Sequence, residues 1–207
     1  YTGDSDKQRA GFSYLMLFKD GNRIDLTLFP VDKLGSNYQP ESLSIVWLDK
    51  DGLFAGLEPP SDKDHHITKP STKLFADTCN EFWWVCTYAA KGLTRGEITY
   101  AREITETTIR PMFMRIVEWY IGTETNFSVS AGKGGKFMRK YLQPEIYSKL
   151  LLTYSDAEIE RNKNSLLVMT ELFASLAKHT AGKLGFTYNI DDEVNVMGYL
   201  ELVFKDI

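Results

Sequence analysis

Few residues in this chain have a type and spacing that suggest chemistry, and the first is an aspartate in the middle of a strand-like run. In Arg23-Ile24-Asp25-Leu26-Thr27-Leu28-Phe29, Ile24, Leu26 and Leu28 alternate with Arg23, Asp25 and Thr27, so a strand puts Asp25 on the polar face. Aspartate is disfavoured in mid-strand. It is either a polar residue on the solvated side of an antiparallel pair, or a carboxylate held on a rigid element to bind a metal or accept a proton. The second feature is residues 128–136, Ser-Val-Ser-Ala-Gly-Lys-Gly-Gly-Lys, read as a basic loop leading into a helix. Glycines and lysines at a helix N-terminus suit a phosphate. The stretch is no Walker A loop, because Ser130 stands where that pattern needs Gly and Phe137 where it needs Ser or Thr. A solvated loop explains it equally well. Third, Glu81, Tyr88 and Lys91 fall on one face of a helix that also carries Trp83 and Trp84. Adjacent tryptophans cannot face the same way, so one of them meets a surface or cleft. Surface ion pairing accounts for the polar stripe just as readily.

Metal and redox chemistry find less support. Cys79 and Cys86 are seven residues apart in a helical stretch, about 10 Å along the axis, beyond the reach of a disulfide. With His65, His66 and His179 as the only histidines, and no paired Cys-x-x-Cys or His-Glu-x-x-His spacing, a zinc site is not expected. Two unpaired thiols fit a reducing, cytoplasmic setting.

The elements that must position these groups divide the chain in two. Residues 12–18 and 23–29 read as a hairpin around Asp20-Gly21-Asn22, and residues 43–48 as a third strand closed by Asp49-Lys50-Asp51-Gly52. Pro59, Pro60 and Pro70 with the polar run 61–66 mark a boundary, giving domains 1–60 and 61–207. From Ser71, a plausible N-cap, the period becomes helical. Helices are expected near 71–92, 94–121, 136–153 (broken at Pro144), 156–184 and 190–204, with Gly92 among the stops. The 27 aromatic residues, 4 Trp with 11 Tyr and 12 Phe, are enough for a sizeable core. Lys and Arg number 24 against 28 Asp and Glu, a net charge of −4 that argues against a general nucleic-acid binder and favours cationic small molecules. The longest apolar run, residues 82–86, is far short of the roughly 20 residues that cross a bilayer, so no membrane partner is expected.

Seven blocks in order carry a resemblance. They are Gly-Phe-Ser-Tyr-Leu-Met-Leu-Phe (11–18), Asn-Arg-Ile-Asp-Leu-Thr-Leu (22–28), Leu-Asp-Lys-Asp-Gly (48–52), Lys-Pro-Ser (69–71), Cys-Asn-Glu-Phe-Trp-Trp-Val (79–85), Ala-Lys-Gly-Leu-x-Arg-x-Glu (90–97) and Gly-x-Glu-Thr-x-Phe-Ser-x-Ser-x-Gly-Lys (122–133). Together they resemble the aminoglycoside 6-adenylyltransferases, or streptomycin adenylyltransferases, of the nucleotidyltransferase superfamily. The resemblance implies an α+β fold, the remnant of a polymerase-beta-like nucleotidyltransferase sheet followed by an α-helical bundle. It implies transfer of AMP from ATP to a hydroxyl of streptomycin with magnesium. Asp25 matches the superfamily's third carboxylate, as a metal ligand or proton acceptor. By position, Lys91, Lys133 and Lys136 are implied to contact the triphosphate, and Glu81 and Glu124, with Trp84, the cationic aminoglycoside.

The family's Gly-Ser motif and Asp-x-Asp pair have no match here. Asp4-Ser5-Asp6 has the letters but lies in a polar, non-strand setting. The chain begins at Tyr1 rather than Met, and the expectation is a trimmed piece, nearly inactive by itself. The alternative reading is a non-enzymatic nucleotide- or aminoglycoside-binding homologue of the same fold.

Overall fold

The computed structural model describes residues 11–34 and 40–205, so Asp4-Ser5-Asp6 lies outside the described residues. The chain forms two compact units, Tyr1–Asp64 and His65–Ile207.

In the first unit β1 (Phe12–Leu17) and β2 (Arg23–Leu28) pair antiparallel, with Leu15 opposite Asp25. The expected turn closes them. The Asp20 carboxylate accepts from the backbone N–H of Asn22 at 3.0 Å and from its side-chain amide at 2.9 Å, which draws the Asp20 carboxyl below its usual pKa. The third strand is not there. Residues 43–48 pass through turn and bend, and among the described residues the sheet has two strands. Strand composition gives a segment an extended bias but not the hydrogen-bonded neighbour that makes it a strand.

The second unit is helical. α1 (Thr72–Thr94) starts at Ser71, whose Oγ accepts from the Leu74 N–H at 3.1 Å, as the sequence predicts. The helix does not stop at Gly92. A Cβ there would lie 2.8 Å from the Tyr100 ring, so this glycine serves the close packing of α1 on α2 (Ile98–Ile104). A π-helical turn, Thr105–Ile109, joins α2 to α3 (Arg110–Glu124). The expected helix at 136–153 is confined to α4 (Pro144–Leu152), with Pro144 in its first turn. Before it the chain makes two short 3₁₀ turns, Lys133–Gly135 and Met138–Lys140, because Gly132, Gly134 and Gly135 all take positive φ. The glycine-lysine loop therefore does not sit on a helix N-terminus. α5 (Ile159–Leu184) is capped by the Glu158 carboxylate, which accepts from the N–H groups of Glu160 and Arg161, and α6 (Ile190–Lys205) returns along α1.

The core of this unit is aromatic. The Phe82 and Phe173 rings stack at 3.5 Å, and Trp83 meets both edge-on at 5.3 and 5.7 Å. The Trp83 indole donates to the Tyr188 hydroxyl at 3.0 Å, which satisfies the one polar atom it buries. Its neighbour Trp84 is 60% exposed, against 1% for Trp83, as adjacent positions on a helix require. Trp119 is 5% exposed and Trp47, in the first unit, 94%. Both cysteines are free and buried, and burial pushes the Cys79 thiol up to about 12 and Cys86 further still, so both stay protonated.

A polar clamp fixes the α4–α5 connection. Arg110, itself buried, donates to the Thr153 hydroxyl at 2.6 Å and carbonyl at 2.9 Å and to Glu106, one turn back within the π-helical turn. Arg102 donates to the Ser155 carbonyl at 2.8 Å and to Asn162 at 3.3 Å. Arginine suits both places because its fork of donors satisfies several acceptors at once.

A cationic groove as the candidate functional site

The loop that follows α3 is built by close packing. Asn126 and Phe127 take left-handed φ values of 52° and 55°, a conformation that costs side chains of this size energy. It is held by the Phe127 N–H donating to the Gly122 carbonyl at 2.8 Å, and by the Phe127 ring lying where a Cβ on Gly122 would stand, 2.4 Å away. Only glycine fits at position 122. Beyond the turn, the Ile67 N–H donates to the Val129 carbonyl at 2.9 Å, tying the loop to the segment entering α1. The Gly132 N–H then donates to the Ser130 hydroxyl at 3.1 Å.

These ties create a groove of about 690 Å³ between residues 65–70, the loop 130–133 and α3. That size suits a small molecule. Lys69, Arg115 and Lys133 line it as cations, and Glu118 as its one carboxylate, beside Pro70 and Trp119. Lys69 and Lys133 make no ion pair with the described residues, and Arg115 donates only to the Met112 sulfur at 3.8 Å. Burial pushes the Glu118 carboxyl up, against the opposing pull of Arg115.

The groove gathers one of the residues singled out from sequence, Lys133. The other two lysines do not line it, although the Lys136 stem packs beside Gly132. Lys136 stands over the Phe137 ring at 4.9 Å, and Lys91 over the Tyr88 ring at 6.0 Å. On α1, Glu81, Trp84, Tyr88 and Lys91 do form a single outward stripe, in which the Trp84 indole donates to the Tyr88 hydroxyl at 2.7 Å. Glu124 is engaged within the bundle. His179 stands 2.8 Å away and Lys183 3.6 Å away on α5, and these partners hold its carboxyl below the usual range. Lys69, Arg115, Glu118 and Trp119 were not singled out from sequence. Lys69 begins the Lys-Pro-Ser block, and Arg115, Glu118 and Trp119 occupy i, i+3 and i+4 positions of a helix, a spacing that places all three on one face.

Asp25 stands on the hairpin, about half exposed. Both its oxygens accept from the Arg23 guanidinium, at 2.9 and 2.8 Å. Among the described residues no three His, Cys, Asp or Glu side chains gather to hold a metal ion. Magnesium is commonly held by one or two carboxylates together with substrate phosphates and waters, and Asp25 offers one such carboxylate, both of whose oxygens accept from Arg23. No described helix is long and apolar enough to cross a membrane.

The streptomycin adenylyltransferase family model matches residues 2–203. An aminoglycoside 6-adenylyltransferase from Campylobacter jejuni is 37% identical over 183 residues, covering 88% of this chain and 64% of its own length. One from Bacillus subtilis strain 168 is 36% identical over 197 residues, 95% of this chain and 69% of its own length. The crystal structure of an aminoglycoside 6-adenyltransferase from Bacillus subtilis superposes with a TM-score of 0.62 at 31% identity, covering 96% of this chain and 73% of that one. The chain thus spans about two thirds of the length of the curated relatives it matches. Because the match runs through the hairpin, the α1 stripe and the loop that builds the groove, the chain belongs to the streptomycin adenylyltransferase family.

Proposed function

We propose that this chain serves an adenylyl transfer from ATP to a hydroxyl of an aminoglycoside, streptomycin in the first instance, in the cytoplasm and to the effect of antibiotic resistance. The observation that carries the reading is the 36–37% identity to aminoglycoside 6-adenylyltransferases over 88% and 95% of the chain. In such a transfer the acceptor oxygen bonds to the α-phosphorus of ATP, the bond from that phosphorus to the bridging oxygen breaks, and pyrophosphate leaves. The acceptor's proton passes to a base.

Lys133 is our assigned triphosphate contact, since it lines the groove and is unpaired, whereas Lys91 and Lys136 lie over aromatic rings. The outward Glu81 and Trp84 are assigned to the aminoglycoside, where a carboxylate and an aromatic face suit a polycation. Glu124 is a weaker candidate for that role, because α5 already pairs it. Asp25 is the proposed proton acceptor. Magnesium belongs to the chemistry the family implies; Asp25 would supply it a carboxylate oxygen, and the ion would offset negative charge on the phosphates.

The test incubates the full natural protein with ATP, magnesium and streptomycin and follows pyrophosphate release and the mass of the antibiotic. Adenylylated streptomycin is the expected product. Asp25→Asn should lower turnover by at least about tenfold with unchanged folding, as loss of a general base does. Normal turnover in that variant removes Asp25 from the mechanism. Streptomycin binding with no ATP consumed would replace the enzyme reading with that of a binding homologue.

A further inference from the structure

We propose that the groove is a polyphosphate site, in which Lys69, Arg115 and Lys133 hold the phosphate chain and Glu118 weakens that hold so that the leaving pyrophosphate departs. The inference deepens the adenylyl-transfer reading and rests on it for the identity of the chain's source.

The sign of the groove's charge decides what it takes. Two lysines and an arginine face one carboxylate, on a protein whose net charge is −4. A polycationic aminoglycoside would meet repulsion from Lys69, Arg115 and Lys133. A chain of phosphates would meet three donors that the described residues leave without carboxylate hydrogen bonds. The cations come from three separate elements: Lys69 from the segment before α1, Arg115 from α3 and Lys133 from the glycine loop. The Ile67–Val129 hydrogen bond and the Gly122–Phe127 contact set the spacing of those elements. Such an arrangement is pre-organised for an extended anion rather than for one point charge.

Glu118 is the informative exception. It sits one helical turn from Arg115, half-buried, and accepts no hydrogen bond from the described residues. A carboxylate in an anion site costs binding affinity. Here the cost falls on a product that must leave, because tightly held pyrophosphate would stall the next cycle. A neutral amide at this position should therefore tighten pyrophosphate.

The experiment titrates inorganic pyrophosphate, and separately streptomycin, into the full natural protein by calorimetry. Variants K69A, R115A, K133A and E118Q are compared with K149A, an exposed lysine on α4 away from the groove. Each cationic variant should lose roughly tenfold in pyrophosphate affinity, the typical worth of a charged hydrogen bond. K149A should lose none, and E118Q should gain about threefold or more. Streptomycin affinity should stay unchanged in all of them. Thermal midpoints check folding; Lys69 and Lys133 are exposed, so their loss leaves the core intact. Unchanged pyrophosphate affinity in K69A and K133A overturns the proposal. So does the opposite pattern, with streptomycin weakened by E118Q and strengthened by K69A, which would make the groove the aminoglycoside site. Adenylylated product with pyrophosphate binding indifferent to these variants refutes the groove assignment alone. Pyrophosphate binding that follows them, with no aminoglycoside consumed, refutes the transfer reading alone.

Discussion

In the hairpin, Leu15, Leu17 and Leu28 stand 71%, 78% and 52% exposed, whereas in the helical unit Phe75, Phe113 and Ile121 are at 0%. Both regions have clear apolar periodicity in sequence. The difference lies in what each finds to cover it. The helices bury their stripes on one another, because one chain folds back several times within a short span. The hairpin's ladder is set by its turn and its cross-strand pairs, among them the Ser13–Thr27 hydroxyl contact at 3.0 Å, with little apolar surface removed from water. A two-stranded ribbon has marginal stability by itself. The stability of the described residues therefore rests on the helices.

Substitutions can break this contrast at several strengths. Phe173→Ala, which removes one ring of the stacked pair and the edge partner of Trp83, should cost about 3–5 kcal/mol in a urea unfolding titration, while Leu15→Ala in the hairpin should cost less than about 0.5 kcal/mol. Equal losses would mean that Leu15, too, makes buried contacts in the folded protein that unfolding removes. Gly122→Ala is a subtler probe. Its Cβ would collide with the Phe127 ring, so a loss of about 1–3 kcal/mol is expected, together with weaker pyrophosphate binding as the loop carrying Lys133 shifts. A smaller effect belongs to Glu124. Its carboxyl is held low in the fold, so the stability it supplies is present above the ordinary carboxylate range and is lost as pH falls through its depressed value. Glu124→Gln should be a few tenths of a kcal/mol less stable at neutral pH, and the gap should close in acid unfolding curves.

Much of the fold was legible because local chemistry dictated it. Asp20-Gly21-Asn22 determined the turn and hence the register that puts Asp25 opposite Leu15. Ser71 and Pro144 marked helix starts because a hydroxyl cap and a missing N–H act within one turn of chain. Residues 43–48 misled because a strand is a relation between two segments and the segment's own composition states only half of it. Gly92 misled for a related reason: the Tyr100 ring that needs the space is on the next helix. The candidate site was legible only at Lys133. Lys69, Arg115 and Glu118 are ordinary surface letters until the Val129–Ile67 tie brings their elements round one groove. The α1 stripe was readable as a face, since 3.6-residue periodicity alone fixes it.

The four tryptophans have an optical consequence. Trp47 and Trp84 stand in water, while Trp83 lies in the core and Trp119 lies under the groove floor. A water-borne cationic quencher such as caesium, which the groove's lysines and arginine repel, should silence the first two and leave emission from the last two. That residual light would come from one indole that reports the integrity of the aromatic core and another that reports what fills the groove. Occupancy could then be followed in solution without a label, in the unmodified chain.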